Sequence, residues 1–287
     1  MLTSPSLTPD SLTHQLIQRA HGALNDASAQ AYAALPRAWF DEVECEIAWA
    51  MAASGKSFDA CLSDMDAFNA LTEETENDAW YDQPRAFTSM HLDALLLGFA
   101  RRRLERTLAQ VMTGAPRAAT LLEVGSGSGR LSGLLADALP SSHLTLVDRS
   151  VAAVRFATGY HSARGTGGRV RCLRGDLAAI PVSDAAFDVV VAAEVLEHAP
   201  EPAACVRELM RALRPGGLLV LSVPIDLNIA MHSTAFSDEA ALRDFLKGFA
   251  LRLRDCEVVR PDPATDAICR VFPDFVGCVN VTLDKVA

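Results

Sequence analysis

The sequence lacks the cysteine patterns of a disulfide framework or a thiolate metal site. Its seven cysteines are scattered, their number is odd, and no two of them form a Cys-x-x-Cys pair. Even counts and paired spacings are typical of small secreted disulfide proteins and of structural zinc sites. We therefore expect reduced thiols, as in a cytoplasmic protein.

Long apolar runs are missing as well, although half of the residues are hydrophobic. No run approaches the ~18 residues of a membrane-spanning helix. The opening segment, MLTSPSLTPDSLTHQLIQ, has neither the basic start nor the apolar stretch of a secretory signal. The composition therefore favours a cytoplasmic protein with a substantial core and no membrane partner.

Positive charge is scarce. Lys and Arg total 26 against 36 Asp and Glu, which gives a net charge of −10, and residues 1–112 carry −8 of it. The triplet Arg101–Arg103 lies beside Glu105 and is interpreted as a solvated helix face. An acidic chain without a basic stripe repels a phosphate backbone, which argues against nucleic acid as a partner.

Two textures divide the chain near Pro116. Residues 1–112 are rich in Ala, Leu and acidic residues and show few strand patterns, so they predict an all-helical N-terminal cap or lid region. Leu95, Phe99, Leu104 and Leu108 recur at helical spacing, which puts the arginine triplet on the solvent side. The predicted helices are Ser11–Leu24, Pro36–Ser54, Phe58–Thr72 and Phe87–Val111.

After Pro116 short apolar runs alternate with helical stretches, a pattern typical of βαβ units. Residues 113–287 therefore predict an α/β domain with a doubly wound, mostly parallel, seven-stranded sheet and helices on both faces. The tail from Phe272 is expected to close one edge of this sheet. The predicted strands are Thr120–Val124, Leu144–Val147, Val170–Leu173, Asp188–Ala193, Leu218–Val223, Cys256–Val259 and Cys278–Leu283, and the predicted helices are Arg130–Leu139, Ser150–Thr158 and Pro202–Leu213.

Alternating glycines follow the first predicted strand, in the run Gly125-Ser126-Gly127-Ser128-Gly129. Glycine permits positive φ and lets a ligand approach the backbone closely. The second strand ends in Asp148, 19 residues after Gly129, where a carboxylate can grip a ribose diol through two hydrogen bonds. The alternative is that Asp148 caps the helix beginning at Ser150. The glycines upstream favour ribose binding.

Over residues 118–224 the sequence resembles the class I S-adenosylmethionine-dependent methyltransferases. The family motif E/D-x-G-x-G-x-G matches Glu123 and the glycine run, and its ribose-binding acid matches Asp148. Its adenine-contacting acid matches Asp176, while Phe187–Val191 and Leu213–Gly217 resemble strand four and the turn before strand five. The resemblance implies a cofactor-binding set of Glu123, Gly125, Ser126, Gly127, Gly129, Asp148, Arg149, Asp176, Leu177 and Ala193.

The same residues suit a sulfonium nucleoside better than a dinucleotide. Glu123 stands two residues before the first glycine, where it disfavours a pyrophosphate and suits the ammonium group of an amino-acid-bearing ligand. Tyr81 lies in a polar break, Glu76–Asp82, from which a lid could cover the ligand. An aromatic face attracts a sulfonium by cation–π interaction. We therefore add Tyr81 to the expected cofactor-binding set, with a packing role as the alternative.

Methyl transfer from a sulfonium is an in-line displacement, for which the enzyme supplies alignment and desolvation. A base is needed only if the nucleophile must lose a proton, and the candidates are His198, Glu194 and His91, followed by Glu197 and His232. The segment Glu194–His198 is similar to that of small-molecule methyltransferases of the ubiquinone-biosynthesis type. On a helix its carboxylates and imidazole would share a face and could hold a divalent cation with His232. Local structural roles are the alternative, and we expect no resident metal.

Four functions remain open at this point. The first is methyl transfer from S-adenosylmethionine to the oxygen or nitrogen of a small-molecule acceptor. The second is a different use of the same cofactor, such as cyclisation of its aminocarboxypropyl arm. The third is non-catalytic sensing of the nucleoside, and the fourth is an NAD-dependent oxidoreductase. The sequence identifies neither the acceptor nor the oligomeric state.

Overall fold

A computed structural model describes residues 11–21, 26–70, 78–227, 229, 232–262, 266 and 275–286. In these ranges, no helix combines the length and the apolar composition that a membrane span requires. The helices that precede the first strand are α1 (Leu12–His21), α2 (Asp26–Ala33), α3 (Arg37–Ser54), α4 (Phe58–Asn69), α5 (Asp78–Tyr81), α6 (Pro84–Asp93) and α7 (Phe99–Met112).

The rest of the described chain alternates strands and helices, as predicted. The elements in order are β1 (Thr120–Val124), α8 (Arg130–Ala138), β2 (His143–Asp148), α9 (Val151–Ala163), β3 (Val170–Arg174), β4 (Phe187–Ala193), the 3-10 turn Leu196–His198, α10 (Pro202–Ala212), β5 (Leu213–Ile225), α11 (Glu239–Leu246), β6 (Leu251–Val259) and β7 (Gly277–Lys285).

These strands form one seven-stranded sheet in the order β3-β2-β1-β4-β5-β7-β6. The pairs from β3 to β5 are parallel, and β7 is antiparallel to both β5 and β6. The predicted mostly parallel, doubly wound sheet is confirmed. Because the strand order reverses between β1 and β4, a crevice opens at their carboxyl ends, where such folds bind ligands.

The position of the last strand differs from the prediction. We expected the tail to close the sheet edge, but β7 lies between β5 and β6, and β6 forms the edge. Gly277 to Asp284 are all buried, as in a central strand. An antiparallel strand can be inserted from the end of the chain, because its pairing needs no helical crossover.

The single helix predicted over Phe87–Val111 is wrong, because the chain forms two helices separated by Ala94–Gly98. The carboxylate of Asp266 accepts a hydrogen bond from Phe99 N–H, the first residue of α7, at 2.9 Å. The first N–H groups of a helix have no partner within it, so this carboxylate caps α7. The break therefore depends on a residue more than 160 positions away along the chain.

The apolar core of the N-terminal helices continues into the α/β region. Trp39, Ile47 and Leu92 of the cap belong to the same buried cluster as Phe156 and Tyr160 of α9. In contrast, α7 packs on β5, β6 and β7. The predicted helix Pro36–Ser54 is confirmed by α3, and α4 confirms the predicted helix that begins at Phe58. The predicted ends of two helices, Leu24 and Thr72, lie outside the described residues.

A buried carboxylate, Glu46 on α3, joins the cap to the α/β region. Its Oε1 accepts hydrogen bonds from Arg130 Nη1 at 3.0 Å and from Arg164 Nη1. Its Oε2 accepts from Tyr160 Oη at 2.9 Å and pairs with His91 Nε2 at 3.2 Å. We call Glu46 and these four partners the Glu46 cluster. Burial alone would raise the pKa of Glu46, but the hydrogen bond with His91 and the charges of the two arginines outweigh it and lower the pKa to about 2.

We expect Glu46→Ala to lower the free energy of unfolding by about 3–5 kcal/mol, because it removes the enclosed carboxylate that two buried guanidinium groups share and leaves each of them with one solvent-exposed carboxylate partner. The side chains of Arg130 and Arg164 are each only 5% exposed. Asp41→Ala, on the same helix, breaks an exposed pair with Arg37 and should cost at most about 1 kcal/mol. Urea unfolding of both variants checks this, and equal losses would contradict it.

The stabilisation that Glu46 gives to the folded protein should also decrease as the pH falls from the ordinary glutamate pKa of 4.5 towards 2.

Candidate active site

The glycine-rich turn after β1 is held by backbone hydrogen bonds to the neighbouring strand. Gly125 N–H and Ser126 N–H both donate to the carbonyl of Val147 on β2, at 2.8 and 3.3 Å. Gly125 has a φ of +72°, and a Cβ at this position would lie 2.8 Å from the Cβ of Val195. Only glycine fits such a turn without strain. The turn therefore presents bare backbone at the ligand crevice.

Asp148, at the end of β2, fastens the turn from the other side. Its Oδ2 accepts from Gly127 N–H and its Oδ1 from Ser150 N–H, both at 2.9 Å. The side-chain cap of α9 is Ser150, whose Oγ accepts from Ala153 N–H. The alternative prediction that Asp148 itself caps this helix is therefore wrong. Burial raises the pKa of Asp148 against the two backbone hydrogen bonds.

Glu123, the residue at the acidic position of the motif, is buried in β1 and only 6% exposed. Among the described residues its Oε2 has no hydrogen-bond partner. Burial raises its pKa to about 8, and the charge of Asp148 adds to this, while a hydrogen bond with Ser132 opposes it. A carboxyl group whose pKa is raised in this way is largely protonated at neutral pH, and a positively charged ligand group beside it would favour its ionised form.

The remaining predicted cofactor residues lie at the same edge of the sheet. Asp176 and Leu177 follow β3, and Asp176 Oδ1 accepts from Ala178 N–H at 2.8 Å. Leu177 is buried, whereas Asp176 and Arg149 are exposed. Ala193 is the last residue of β4 and is half-buried. Thus the carboxyl ends of four adjacent strands carry the whole set predicted from 123 to 193.

Backbone strain marks the ends of β4 and β5. Glu194 and Asp226 have φ values of +55° and +53°, and Ala185, before β4, has +50°, a region that non-glycine residues rarely occupy. The Glu194 carboxylate accepts from Ser222 Oγ at 2.6 Å and from Cys278 Sγ at 2.9 Å. The guanidinium of Arg103 approaches it to 3.5 Å. The conformation of Glu194 therefore turns its side chain towards β5 and β7.

A group of three side chains follows β4. Glu197 and His198 lie in the 3-10 turn, and His232 comes from the chain after β5. Each offers one ligand atom, and these atoms lie within 4.8 Å of one another. His232 Nδ1 is 3.0 Å from the carbonyl of Leu227. Since a carbonyl only accepts, Nδ1 carries the proton and Nε2 of the neutral ring keeps its lone pair.

Glu197 is itself enclosed, and its Oε2 has no hydrogen-bond partner in the part of the chain that the structure describes. Burial, followed by the charge of Glu194, raises its pKa well above the usual value. His198 Nε2 lies 3.9 Å from Glu197 Oε1. The ring of Tyr81, in α5, lies 6.3 Å from that of His198. Tyr81 therefore lies near the carboxyl end of β4.

One expected juxtaposition is not formed, and one candidate base lies elsewhere. Glu194, Glu197 and His198 do not share a helix face, because a positive φ at Glu194 precedes a single 3-10 turn. His91 lies away from this group, fully buried in the Glu46 cluster. Burial lowers its pKa against the opposing effect of Glu46. A neutral, enclosed imidazole in that cluster has no access to the crevice.

The interpretation of Arg101–Arg103 as a solvated face is wrong for Arg103, which turns inwards towards Glu194. The buried residues of α7 follow the helical repeat. Phe99, Thr107 and Gln110 are buried, and with Arg103 they recur at spacings of three and four residues along α7. The sequence therefore contains the spacing of this stripe, and the structure shows that the stripe is buried. The contacts of Ser222 and Cys278 with Glu194 follow no such spacing, because they join separate strands.

Residues 122–221 match the family model described as a methyltransferase domain. The chain is 32% identical over 163 residues to a ubiquinone biosynthesis O-methyltransferase of Xanthomonas oryzae pv. oryzae, covering 56% of this chain and 60% of the relative. The chain contains a class I S-adenosylmethionine-dependent methyltransferase domain. The segment matched to the family contains every predicted cofactor residue except Tyr81.

Other relatives of the methyltransferase domain differ in what their names say they act on. A trans-aconitate 2-methyltransferase of Azoarcus sp. is 30% identical over 147 residues, covering 51% of this chain and 53% of that protein. The chain thus spans little more than half the length of these curated relatives. The solved structure of the cyclase SpnF has a TM-score of 0.55 and 21% identity, with coverage of 66% of this chain and 81% of that one. That likeness concerns the fold alone.

We expect Gly125→Ala to destabilise the protein more than Gly216→Ala, although both glycines have a φ of +72°. Both changes impose about 1–2 kcal/mol of backbone strain. Only the first also pushes a methyl group into Val195, whereas nothing lies within 4 Å at Gly216, and such overpacking costs about 1–3 kcal/mol more. Urea unfolding measures this difference. Calorimetry with S-adenosylhomocysteine should show weaker binding for Gly125→Ala alone, and unaltered binding would exclude the turn from the cofactor site.

Proposed function

We propose that this protein transfers the methyl group of S-adenosylmethionine to a small-molecule acceptor. The observation that carries the proposal is the convergence of the glycine turn, Glu123 and Asp148 at the carboxyl ends of β1 and β2, within the segment that matches the methyltransferase family. The names of two relatives, which refer to ubiquinone biosynthesis and to trans-aconitate, support a small molecule as acceptor.

In this proposal the cofactor lies across the carboxyl ends of β1 to β4. Asp148 accepts the ribose hydroxyls, and Asp176 and Leu177 contact the adenine. Glu123 faces the ammonium group of the methionine portion, because it is the enclosed carboxylate with an unpartnered oxygen beside the turn. Tyr81 lies over the sulfonium. The backbone of Gly125, Ser126, Gly127 and Gly129 and the neighbours Arg149 and Ala193 complete the contacts.

The reaction is an in-line displacement. The lone pair of the acceptor atom forms a bond to the methyl carbon while the carbon–sulfur bond breaks, and its electron pair stays on sulfur. Where the acceptor atom carries a proton, we assign its removal to His198, which lies beside Tyr81 and His232 at the end of β4. Glu194 shapes this end of the site through its bonds to β5 and β7. His91 has a structural place in the Glu46 cluster.

We propose further that no resident metal is needed. The carboxylate of Glu194 is engaged by Ser222 and Cys278, so it is not free to join Glu197, His198 and His232 as a ligand. Divalent cations prefer ionised carboxylates that are free to coordinate. The group Glu197, His198 and His232 is therefore assigned to proton transfer and acceptor contact.

Internal chemistry of the cofactor without an acceptor stays the alternative. The fold neighbour SpnF is described as a [4+2]-cyclase, and a shared fold by itself does not fix the reaction. The two reactions release different products, which makes them separable by a single assay.

The purified protein incubated with S-adenosylmethionine alone should release neither S-adenosylhomocysteine nor methylthioadenosine. Addition of small hydroxy, amino and carboxylic acids should give S-adenosylhomocysteine and a methylated acceptor, resolved by mass spectrometry. Methylthioadenosine without acceptor would replace methyl transfer by internal chemistry. Tight binding without any product would indicate a sensor, and heat of binding with NAD but not with S-adenosylhomocysteine would overturn the cofactor assignment.

The same assay after exhaustive chelation tests the metal proposal. We expect the rate of methyl transfer to remain unchanged. A rate that falls and is restored by Mg²⁺ or Zn²⁺ would instead assign Glu197, His198 and His232 to a metal centre.

Binding of S-adenosylhomocysteine at pH 7 should release a proton from Glu123. The pKa of about 8 keeps this carboxyl largely protonated in the free protein, and a bound ammonium group favours its ionised form. Calorimetry in buffers of different ionisation enthalpy should show wild type releasing up to about one proton more than Glu123→Gln. Glu105→Gln, which alters an exposed carboxylate, serves as the control and should match wild type. Equal proton release from wild type and Glu123→Gln would place the ammonium group elsewhere.

A further inference from the structure

Arg103 is an enclosed cation at the carboxyl end of β4. It projects from α7, and its guanidinium lies 3.5 Å from Glu194, the residue that follows Ala193. The side chain is 20% exposed, and the charges of Asp93 and Glu197 also act on it. Arg103 thus stands beside the residues to which we assign the cofactor and the acceptor.

Among the described residues, the donors of Arg103 make few hydrogen bonds. Its Nε is fully enclosed and has no hydrogen-bond partner among the described residues. The approach to Glu194 at 3.5 Å is too long for a strong charge-assisted hydrogen bond, for which 2.7–2.9 Å is usual. Ser222 and Cys278 already donate to the two oxygens of Glu194. A guanidinium so placed keeps most of its five donors for another acceptor.

The neighbouring charges leave room for an anion. Among the described residues, the carboxylate within ion-pair distance of Arg103 is that of Glu194, and that contact is long at 3.5 Å. The sulfonium of the proposed cofactor adds one positive charge to the same crevice, which favours an anionic second ligand.

We propose that the methyl acceptor carries a carboxylate group and that Arg103 binds it as a bidentate anchor. The planar guanidinium matches the geometry of a carboxylate, and the pair forms two parallel hydrogen bonds. The lone pairs of the anchored oxygens accept hydrogen bonds from the guanidinium group, which makes these oxygens weaker nucleophiles. The methyl group therefore goes to another atom of the acceptor. This inference rests on the proposed methyl transfer and adds the chemical class of the acceptor to it.

Matched pairs of acceptors test the anchor. The probes are trans-aconitate, sarcosine and 4-hydroxybenzoate, each beside its neutral amide, with S-adenosylhomocysteine release as the readout. We expect turnover of at least one carboxylate and none of its amide. Arg103→Gln should lower kcat/KM for that carboxylate at least about 30-fold, mainly through KM. Arg103→Lys should fall between, because a lysine keeps the charge but not the bidentate geometry.

Calorimetry with S-adenosylhomocysteine separates this inference from the proposed function. Both Arg103 variants should bind it within about threefold of wild type, which also shows that they fold. Arg106→Gln, one turn later on α7, removes an arginine that pairs with Asp255 and Glu257 on β6, and should behave as wild type in every assay.

Three results would overturn the anchor while leaving the cofactor site intact. The first is equal turnover of an amide and its carboxylate. The second is an unchanged KM for the carboxylate in Arg103→Gln. The third is that no carboxylate probe is turned over or raises the Tm of the S-adenosylhomocysteine complex. If the wild-type protein does not bind S-adenosylhomocysteine, that result contradicts the proposed function itself.

Discussion

The buried carboxylate of Glu46 is the interaction on which the geometry of the site depends. It binds Arg130, the residue directly after the glycine turn. It also pairs with His91, the neighbour in sequence of Met90, whose side chain lies next to Gly127. One ion on a cap helix therefore fixes both the turn and the helix that covers it. Four donors satisfy its two oxygens, and this compensation allows a full charge to be enclosed.

Several polar groups of the crevice have an atom without a partner in the part of the chain that the structure describes. Glu123, Glu197 and Arg103 are enclosed, and each has an atom without a partner among the described residues. A protein tolerates such groups where a ligand completes their bonds, and their location at one edge of the sheet agrees with the ligand crevice of doubly wound folds. Positive φ at Glu194 and Asp226 adds strain at the same edge.

The cofactor side of the site was largely predictable, and the acceptor side was not. The glycine turn and Asp148 belong to one short βαβ segment, so local sequence order dictates their proximity. Arg103, Glu194 and Cys278 meet from a helix and two strands that are distant in sequence. Their meeting depends on the insertion of β7 between β5 and β6, which no local pattern specifies.

By itself the sequence determined the alternation of strands and helices, the mostly parallel sheet, and the turn that only glycine can form. These follow from hydrophobic periodicity and from the φ values open to each residue, which are local properties. Tertiary structure alone decided the break between α6 and α7, the place of β7, and the inward turn of Arg103. Each of these depends on a partner far along the chain, such as Asp266 or Glu194, and a long-range contact exists only once the sheet and the cap have packed together.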